Sequence, residues 1–225
     1  MMHLPDHETT AAMWKVFPRA LKIPLDPREV EEFAAQFGQI STRDGGRGAW
    51  PIAPSKTSGT FSETQGEARL HTDAQYHEQP ESAFILACER AARDGGDNLL
   101  LEAADARRVA ENCFGTDGVA MLEAAQWCWS VPEVFCAEGT TPVSPEVPIL
   151  GADGSIRWRF DNIRCRTAQD RALAIEFADA LDSSGGATRL RLEPGDVLLC
   201  DNRYALHGRT SFSDPKRLLY RVRLT

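Results

Sequence analysis

The stretch Leu70-His71-Thr72-Asp73 is the most informative part of the chain, because it places a histidine and a carboxylate two residues apart. On an extended segment, residues i and i+2 point to the same side, so one metal ion can reach both side chains. A third metal-ligating side chain, His207, follows the apolar stretch 197–200 far downstream. The sequence therefore offers a candidate metal site made of His71, Asp73 and His207.

This set of ligands favours iron. Two neutral imidazoles and one carboxylate on one face of a metal leave open positions, as non-haem Fe(II) oxygenases require for a chelating cosubstrate and for O₂. A cosubstrate with two carboxylates also needs a cation for its far end. Arg217, Arg221 and Arg223 follow His207 at even spacing in a predicted strand and would face the same way. A solvated strand face is the alternative interpretation of these arginines.

Length and composition set the frame for this site. The 225 residues suit one domain, predicted to span 1–225, and the net charge of −8 argues against a nucleic-acid or membrane-surface binder. The sequence contains no apolar run of about 18 residues, so no membrane span is predicted, and the N-terminus lacks the pattern of a secretory signal. The six cysteines form no CxxC pair, which favours buried free thiols in a reducing cytoplasm. A homo-oligomer stays open.

Hydrophobic periodicity and capping residues predict short strands with inserted helices. The predicted helices cover residues 26–38, 102–113, 118–126 and 167–181. The predicted strands cover 84–88, parts of 127–135, 155–160, 189–192, 197–200 and 217–224. Residues 41–59, rich in Gly, Pro, Ser and Arg, are interpreted as a long loop, and Ile175, Ala178 and Leu181 as the buried face of the last helix. This pattern is typical of an α+β protein built on a distorted barrel or jelly roll with flanking helices.

Three motifs resemble the taurine dioxygenase and clavaminate synthase superfamily of Fe(II)/2-oxoglutarate oxygenases. The first is the His71-Thr-Asp segment up to Pro80, followed by an apolar strand and Gly95-Gly-Asp-Asn98. The second is Asp201-Asn-Arg-Tyr-Ala-Leu-His207-Gly-Arg, and the third is the terminal Arg217-Leu-Leu-Tyr-Arg221. The resemblance implies a double-stranded β-helix (jelly-roll, cupin-like) core with flanking helices, and Fe(II) and 2-oxoglutarate as cofactors.

The resemblance also implies roles for individual residues. His71, Asp73 and His207 would hold the iron. Arg217 would bind the distal carboxylate of 2-oxoglutarate, with Asn98 at the position of a family threonine that helps to bind it. Arg221 would hold an acidic group of the substrate. The alternative that Arg221, and not Arg217, binds 2-oxoglutarate stays open.

Further residues are weaker candidates for binding the substrate. Tyr76 follows the His-x-Asp pair, and Arg159 alternates with Asp161 on a predicted strand, so each could line the cavity. The second arginine of the last strand needs an anion of its own, since burying an uncompensated guanidinium is costly. That anion is either a group of the substrate or an internal carboxylate, for which Asp161, Asp201 and Glu67 are the candidates.

The implied reaction is oxidative decarboxylation of 2-oxoglutarate coupled to hydroxylation of a small molecule. Desaturation and ring closure are further outcomes of the same chemistry. Because Asp73 keeps the metal's carboxylate, hydroxylation is favoured over halogenation. An amino acid or a natural-product intermediate with an anionic group is the expected substrate. A non-catalytic ligand- or metal-sensing barrel of the same fold is the alternative; a metal-dependent hydrolase is disfavoured, since no nearby general base has a recognisable spacing.

Overall fold

A computed structural model describes residues 13–42, 48–55, 61–136 and 142–225. In these ranges the helices are α1 (Pro27–Ala34), α2 (Ala103–Glu123) and α3 (Ala168–Ser183), with 3₁₀ turns at Phe61–Glu63 and Glu133–Phe135. The strands are β1 (Trp14–Phe17), β2 (Trp50–Ile52), β3 (Ala68–His71), β4 (Ala83–Arg90), β5 (Asn98–Glu102), β6 (Cys128–Trp129), β7 (Ile163–Arg164), β8 (Thr188–Leu190), β9 (Val197–Asp201), β10 (Ala205–Arg209) and β11 (Leu218–Leu224).

Two antiparallel sheets form the centre of the fold. The larger sheet has the strand order β1-β9-β4-β11-β2, and the smaller sheet has the order β3-β10-β5-β8. Strands β6 and β7 pair separately. Neighbours in each sheet are distant in sequence, as in a jelly roll, where both sheets are wound from both halves of the chain.

The sheets pack face to face, and helices cover their outer faces. Phe84 of β4 and Leu219 of β11 meet Leu100 of β5 in a core that lies between the sheets. Helix α1 packs on the far face of the larger sheet. Helices α2 and α3 pack on the far face of the smaller sheet, in a core that also buries Trp127 and Trp129. Because side chains alternate along a strand, each strand feeds both an inner and an outer core.

The helix predictions were largely correct. Asp26 caps α1, accepting a hydrogen bond from the Arg28 amide at 2.9 Å, although the helix ends at Ala34 rather than Gly38. The two helices predicted over 102–126 form α2, whose helical dihedrals are interrupted at Gly115 (φ 62°). Thr167 caps α3 through a reciprocal capping box with Asp170.

Other predictions were wrong. Ile175 is 39% exposed, because the buried face of α3 runs through Ala174, Phe177 and Leu181. Within 41–59, residues 43–47 and 56–60 lie outside the described residues, but Trp50–Ile52 forms an edge strand rather than a loop. Of the segment 127–135, only β6 is a strand before the turn at 133–135.

The segment 155–160 is not a strand beyond a single bridge between Ile156 and Leu150. The backbone of Trp158 is bonded to Thr72 instead. The Thr72 amide donates to the Trp158 carbonyl at 2.7 Å, and the Trp158 amide donates to Thr72 Oγ1 at 3.1 Å. These bonds tie 155–160 to the metal-site motif rather than to a sheet.

The cysteines are free, as predicted, but only Cys88 and Cys200 are buried. Across the described ranges, every helix is too short or too polar to cross a bilayer.

Candidate active site

Three side chains that can ligate a metal converge between the two sheets. His71 at the end of β3 lies directly opposite His207 of β10 in the strand register, and Asp73 follows two residues after His71. One ligand atom from each of the three lies within 4.8 Å of the others. Antiparallel pairing thus brings together two histidines that are far apart in sequence, because directly opposed residues have neighbouring side chains.

The histidines are oriented by their surroundings. His71 Nδ1 lies 2.7 Å from the Arg69 carbonyl oxygen, so Nδ1–H donates to it and Nε2 keeps its lone pair. The His207 ring packs against Phe84, with centroids 4.5 Å apart. Both Nε2 atoms lie 3.8 Å from Asp73 Oδ1, too far for a hydrogen bond. The three donors therefore surround a gap rather than bonding to one another.

Protonation also suits metal binding. Burial lowers the pKa of His207 to about 4, and burial together with the neighbouring His207 holds the pKa of His71 well below its ordinary value. Burial alone would raise the pKa of Asp73, but Arg221 and Arg223 hold it well below the usual range. Two neutral imidazoles and a carboxylate are the donor set that Fe(II) oxygenases use, so these residues fit Fe(II).

Asn202 fixes the backbone of Asp73. Its Oδ1 accepts from the Asp73 amide at 2.7 Å, and its Nδ2 donates to the Asp73 carbonyl at 3.0 Å and to the Glu81 carbonyl at 2.9 Å. Asn202 is buried, so these bonds use its polar atoms away from water. In the sequence, the Asp201–Arg209 motif is the only signal for Asn202, and the motif predicts no role for it.

Arg221 forms an ion pair with Asp73. Arg221 Nη1 donates to Asp73 Oδ2 at 3.0 Å, and Arg223 Nε lies 3.6 Å from the same oxygen. The internal carboxylates proposed from sequence were therefore wrong. Asp161 pairs with Arg159 and Asp201 with Arg203, while Glu67 forms no ion pair with Arg221 in the described part of the chain.

Arg217 lies in a different environment. It is 4% exposed, its guanidinium lies over the Phe212 ring at 5.0 Å, and Nη2 reaches the Gly96 carbonyl at 3.5 Å. Among the described residues no carboxylate lies within ion-pair distance of it. Burial lowers its pKa to about 10, which leaves it protonated at neutral pH. Asn98, at the start of β5, lines the same cavity.

The cavity in front of the triad has a volume of about 1030 Å³. Its wall contains every residue predicted for the site, and the wall also contains residues that were not predicted. The predicted ones are His71, Asp73, Tyr76, Asn98, Arg159, His207, Arg217 and Arg221. The others include Trp50, Phe84, Leu86, Glu133, Arg164, Arg171 and Arg223.

Two of the weaker candidates have neighbours of their own in that wall. The Tyr76 ring stacks near Phe135 (6.4 Å, 25°). Arg159 Nε donates to Asp161 Oδ1 at 2.7 Å, on an irregular segment rather than the predicted strand.

Comparison with known proteins identifies the family. The model of the family described as "Taurine catabolism dioxygenase TauD, TfdA family" matches residues 17–113 and 155–223. The chain belongs to this family. The resemblance found in the sequence motifs is thereby confirmed.

Among curated relatives, L-lysine 3-hydroxylase of Catenulispora acidiphila is 33% identical over 170 residues, covering 72% of this chain and 46% of the relative. Human gamma-butyrobetaine dioxygenase is 22% identical over 198 residues, covering 83% and 50%. The chain thus spans about half the length of the curated relatives it matches.

Solved structures confirm the jelly-roll fold. Asparagine oxygenase, crystallised with Fe(II), 2S,3S-3-hydroxyasparagine and succinate, matches with a TM-score of 0.68 at 22% identity, covering 83% of this chain and 59% of that one. The non-heme iron oxygenase OrfP, crystallised with Fe and alpha-ketoglutaric acid, matches with a TM-score of 0.67 at 19% identity, covering 88% and 64%.

Proposed function

We propose that this chain is an Fe(II)- and 2-oxoglutarate-dependent oxygenase that hydroxylates a small molecule, and that residues 1–225 act as one domain. The observation that carries the proposal is the convergence of His71, Asp73 and His207 at the wall of a large cavity. Membership in the TauD/TfdA family supports it, as do relatives whose names include a lysine hydroxylase and an asparagine oxygenase.

In this proposal each residue has a role. His71, Asp73 and His207 hold Fe(II). Arg217 binds the distal carboxylate of 2-oxoglutarate, since a guanidinium matches a carboxylate through two parallel hydrogen bonds. Asn98 borders that position and is the proposed hydrogen-bond donor beside it.

The bound Fe(II) and 2-oxoglutarate supply the oxidising chemistry, in which O₂ and 2-oxoglutarate convert a substrate C–H to C–OH and leave succinate and CO₂. The protein orients the substrate and excludes water. Phe84, Leu86 and Trp50 give the cavity apolar surface. Desaturation and ring closure would use the same residues and differ only in the fate of the substrate.

Arg221 is the proposed contact for an anionic group of the substrate, such as an amino-acid carboxylate. Arg221 donates to Asp73 from one side of its guanidinium, and it belongs to the cavity wall. Tyr76 and Arg159 line the same space and are proposed to border the substrate.

An anaerobic titration tests the proposal. Fe(II) and then 2-oxoglutarate are added, and the visible absorption of the chelated 2-oxo acid is followed; O₂ is then admitted with candidate amino acids, and succinate is quantified. We expect one equivalent of Fe(II), a saturable absorption band and succinate formation that an amino acid accelerates. Binding of both without any succinate would favour the sensing barrel. Absence of Fe(II) binding in protein whose circular dichroism shows a native fold would refute the site.

A further inference from the structure

The part of the cavity wall formed by residues 159–171 is rich in arginine. Arg159 is bonded to Asp161 through Nε at 2.7 and 3.0 Å. Arg164 on β7 donates to the Ser130 hydroxyl, and Arg171 lies exposed on α3. Within the described ranges no carboxylate pairs with Arg164 or Arg171. Arg164 and Arg171 therefore line this side of the cavity without a carboxylate partner among the residues that the structure describes.

The carboxylates of the described cavity wall do not balance this charge. Asp73 is held by Arg221 and Arg223, and Asp161 is held by Arg159. Glu133 is the described lining carboxylate that lies outside these ion pairs. The described lining thus has one carboxylate outside these ion pairs and two arginines without a carboxylate partner, so the potential of the cavity favours anions and disfavours cations.

We propose that the substrate carries two anionic groups, one near Arg221 and a second one bound by Arg164 and Arg171. This inference rests on the proposed function and narrows its substrate class to acidic amino acids and related dicarboxylates. A lysine-like side chain would instead bring an ammonium group to a wall that already has excess positive charge. The proposed preference for acidic substrates therefore differs from that of the 33% identical relative, which is a lysine hydroxylase.

Matched ligand pairs test the proposal, because each pair differs only in the terminal group of one methylene chain. The pairs are L-glutamate and L-2,4-diaminobutyrate, L-2-aminoadipate and L-ornithine, and L-2-aminopimelate and L-lysine. Dissociation constants are measured anaerobically on the Fe(II)/2-oxoglutarate-loaded protein from the shift of its absorption band. In at least one pair we expect the carboxylate member to bind about tenfold more tightly or better. Equal or tighter binding of the ammonium members, or no binding of any carboxylate member, overturns the proposal.

Variants locate the second group. The double variant Arg164→Gln and Arg171→Gln should weaken binding of the preferred dicarboxylate roughly tenfold, while binding of its terminal amide analogue should change little. Arg166→Gln is the matched control, because Arg166 lies in the same segment, pairs with Glu146 and does not line the cavity. Equal losses of affinity for the dicarboxylate and for its amide analogue would contradict the proposal.

Succinate formed without added substrate is measured in parallel. If the wild-type protein forms no succinate and shows no Fe(II)/2-oxoglutarate absorption band, the proposed function itself is wrong. If succinate formation and the absorption band are both present but the carboxylate members bind no more tightly than the ammonium members, only the inference about substrate charge is overturned.

Discussion

Replacement of Arg217 by methionine separates a role in binding from a role in stability. Arg217 is buried over Phe212, and no described carboxylate pairs with it, so folding buries a cation without a matching anion. Burial lowers its pKa to about 10, which corresponds to a cost on the order of 3 kcal/mol. Because the side chain is protonated in both the folded and the unfolded chain below about pH 10, that cost is present throughout the neutral range.

The variant should therefore have opposite effects on 2-oxoglutarate affinity and on stability. A charge-assisted, bidentate contact contributes about 1.5–3 kcal/mol, so Arg217→Met should raise the dissociation constant of 2-oxoglutarate about 10- to 150-fold. The methionine keeps the apolar packing of the arginine stem. The free energy of unfolding of the metal-free protein should stay the same or increase.

Calorimetric titration of the metal-loaded protein measures the affinity, and urea unfolding of the metal-free protein measures the stability. Arg90→Met is the control, because Arg90 donates to the Lys216 carbonyl and does not line the cavity. An unchanged dissociation constant would move the cosubstrate role to Arg221 or Arg223. A large loss of stability would show that Arg217 is held by native contacts rather than kept for a ligand.

Further predictions concern the metal site and the residues around it. His207→Ala should abolish stoichiometric Fe(II) binding, measured by equilibrium dialysis; retention of wild-type affinity would refute the ligand assignment. Since burial lowers the pKa of His207 to about 4, the unfolded chain binds a proton between pH 6.5 and 4 that the folded chain does not. The metal-free protein should thus lose on the order of 3 kcal/mol of stability as the pH falls through this window, and the loss should shrink in His207→Gln. Asn202→Asp removes both hydrogen bonds that Nδ2 donates to backbone carbonyls. Because such supporting residues orient the metal ligands, the variant should weaken Co(II) binding roughly 10- to 100-fold and change the visible spectrum of bound Co(II). An unchanged spectrum would limit Asn202 to a structural role. Gly96→Ala should weaken 2-oxoglutarate binding more than Fe(II) binding, because Gly96 has φ +69° and a Cβ there would lie 3.1 Å from Arg217 Nε; equal effects on both would contradict this reasoning.

The sequence predicted the features that depend on local pattern. The apolar run at 84–88 is a strand buried on both faces, and Thr167 and Asp170 begin a helix through bonds within one turn. The His-x-Asp spacing placed His71 and Asp73 together because the two residues are neighbours along the chain. His207 was recognisable through its motif, although only the pairing of β3 with β10 shows why it meets His71.

The features that the sequence did not predict depend on distant partners. Trp158 is in a stretch that resembles a strand, but its backbone is bonded to Thr72, 86 residues away. The partner of Arg221 is Asp73, 148 residues away. The register also shifts between Leu218 and Leu219, just after Arg217. No local propensity encodes such contacts, since each depends on how the two sheets meet.

The two oxygens of Asp73 face different groups, and this arrangement would couple the proposed metal site to the proposed substrate site. Oδ1 faces both histidine Nε2 atoms at 3.8 Å, whereas Oδ2 faces Arg221 at 3.0 Å. A substrate anion that binds Arg221 would compete with Asp73 for the same guanidinium and leave more negative charge on the carboxylate that faces the metal. If Asp73 holds the metal and Arg221 the substrate as proposed, we expect a change at Arg221 to alter metal affinity as well as substrate affinity. Arg217 has no such contact with Asp73, so variants of Arg217 should change cosubstrate affinity and leave Fe(II) affinity unchanged. Measuring Fe(II) binding in variants of each arginine therefore distinguishes the two residues.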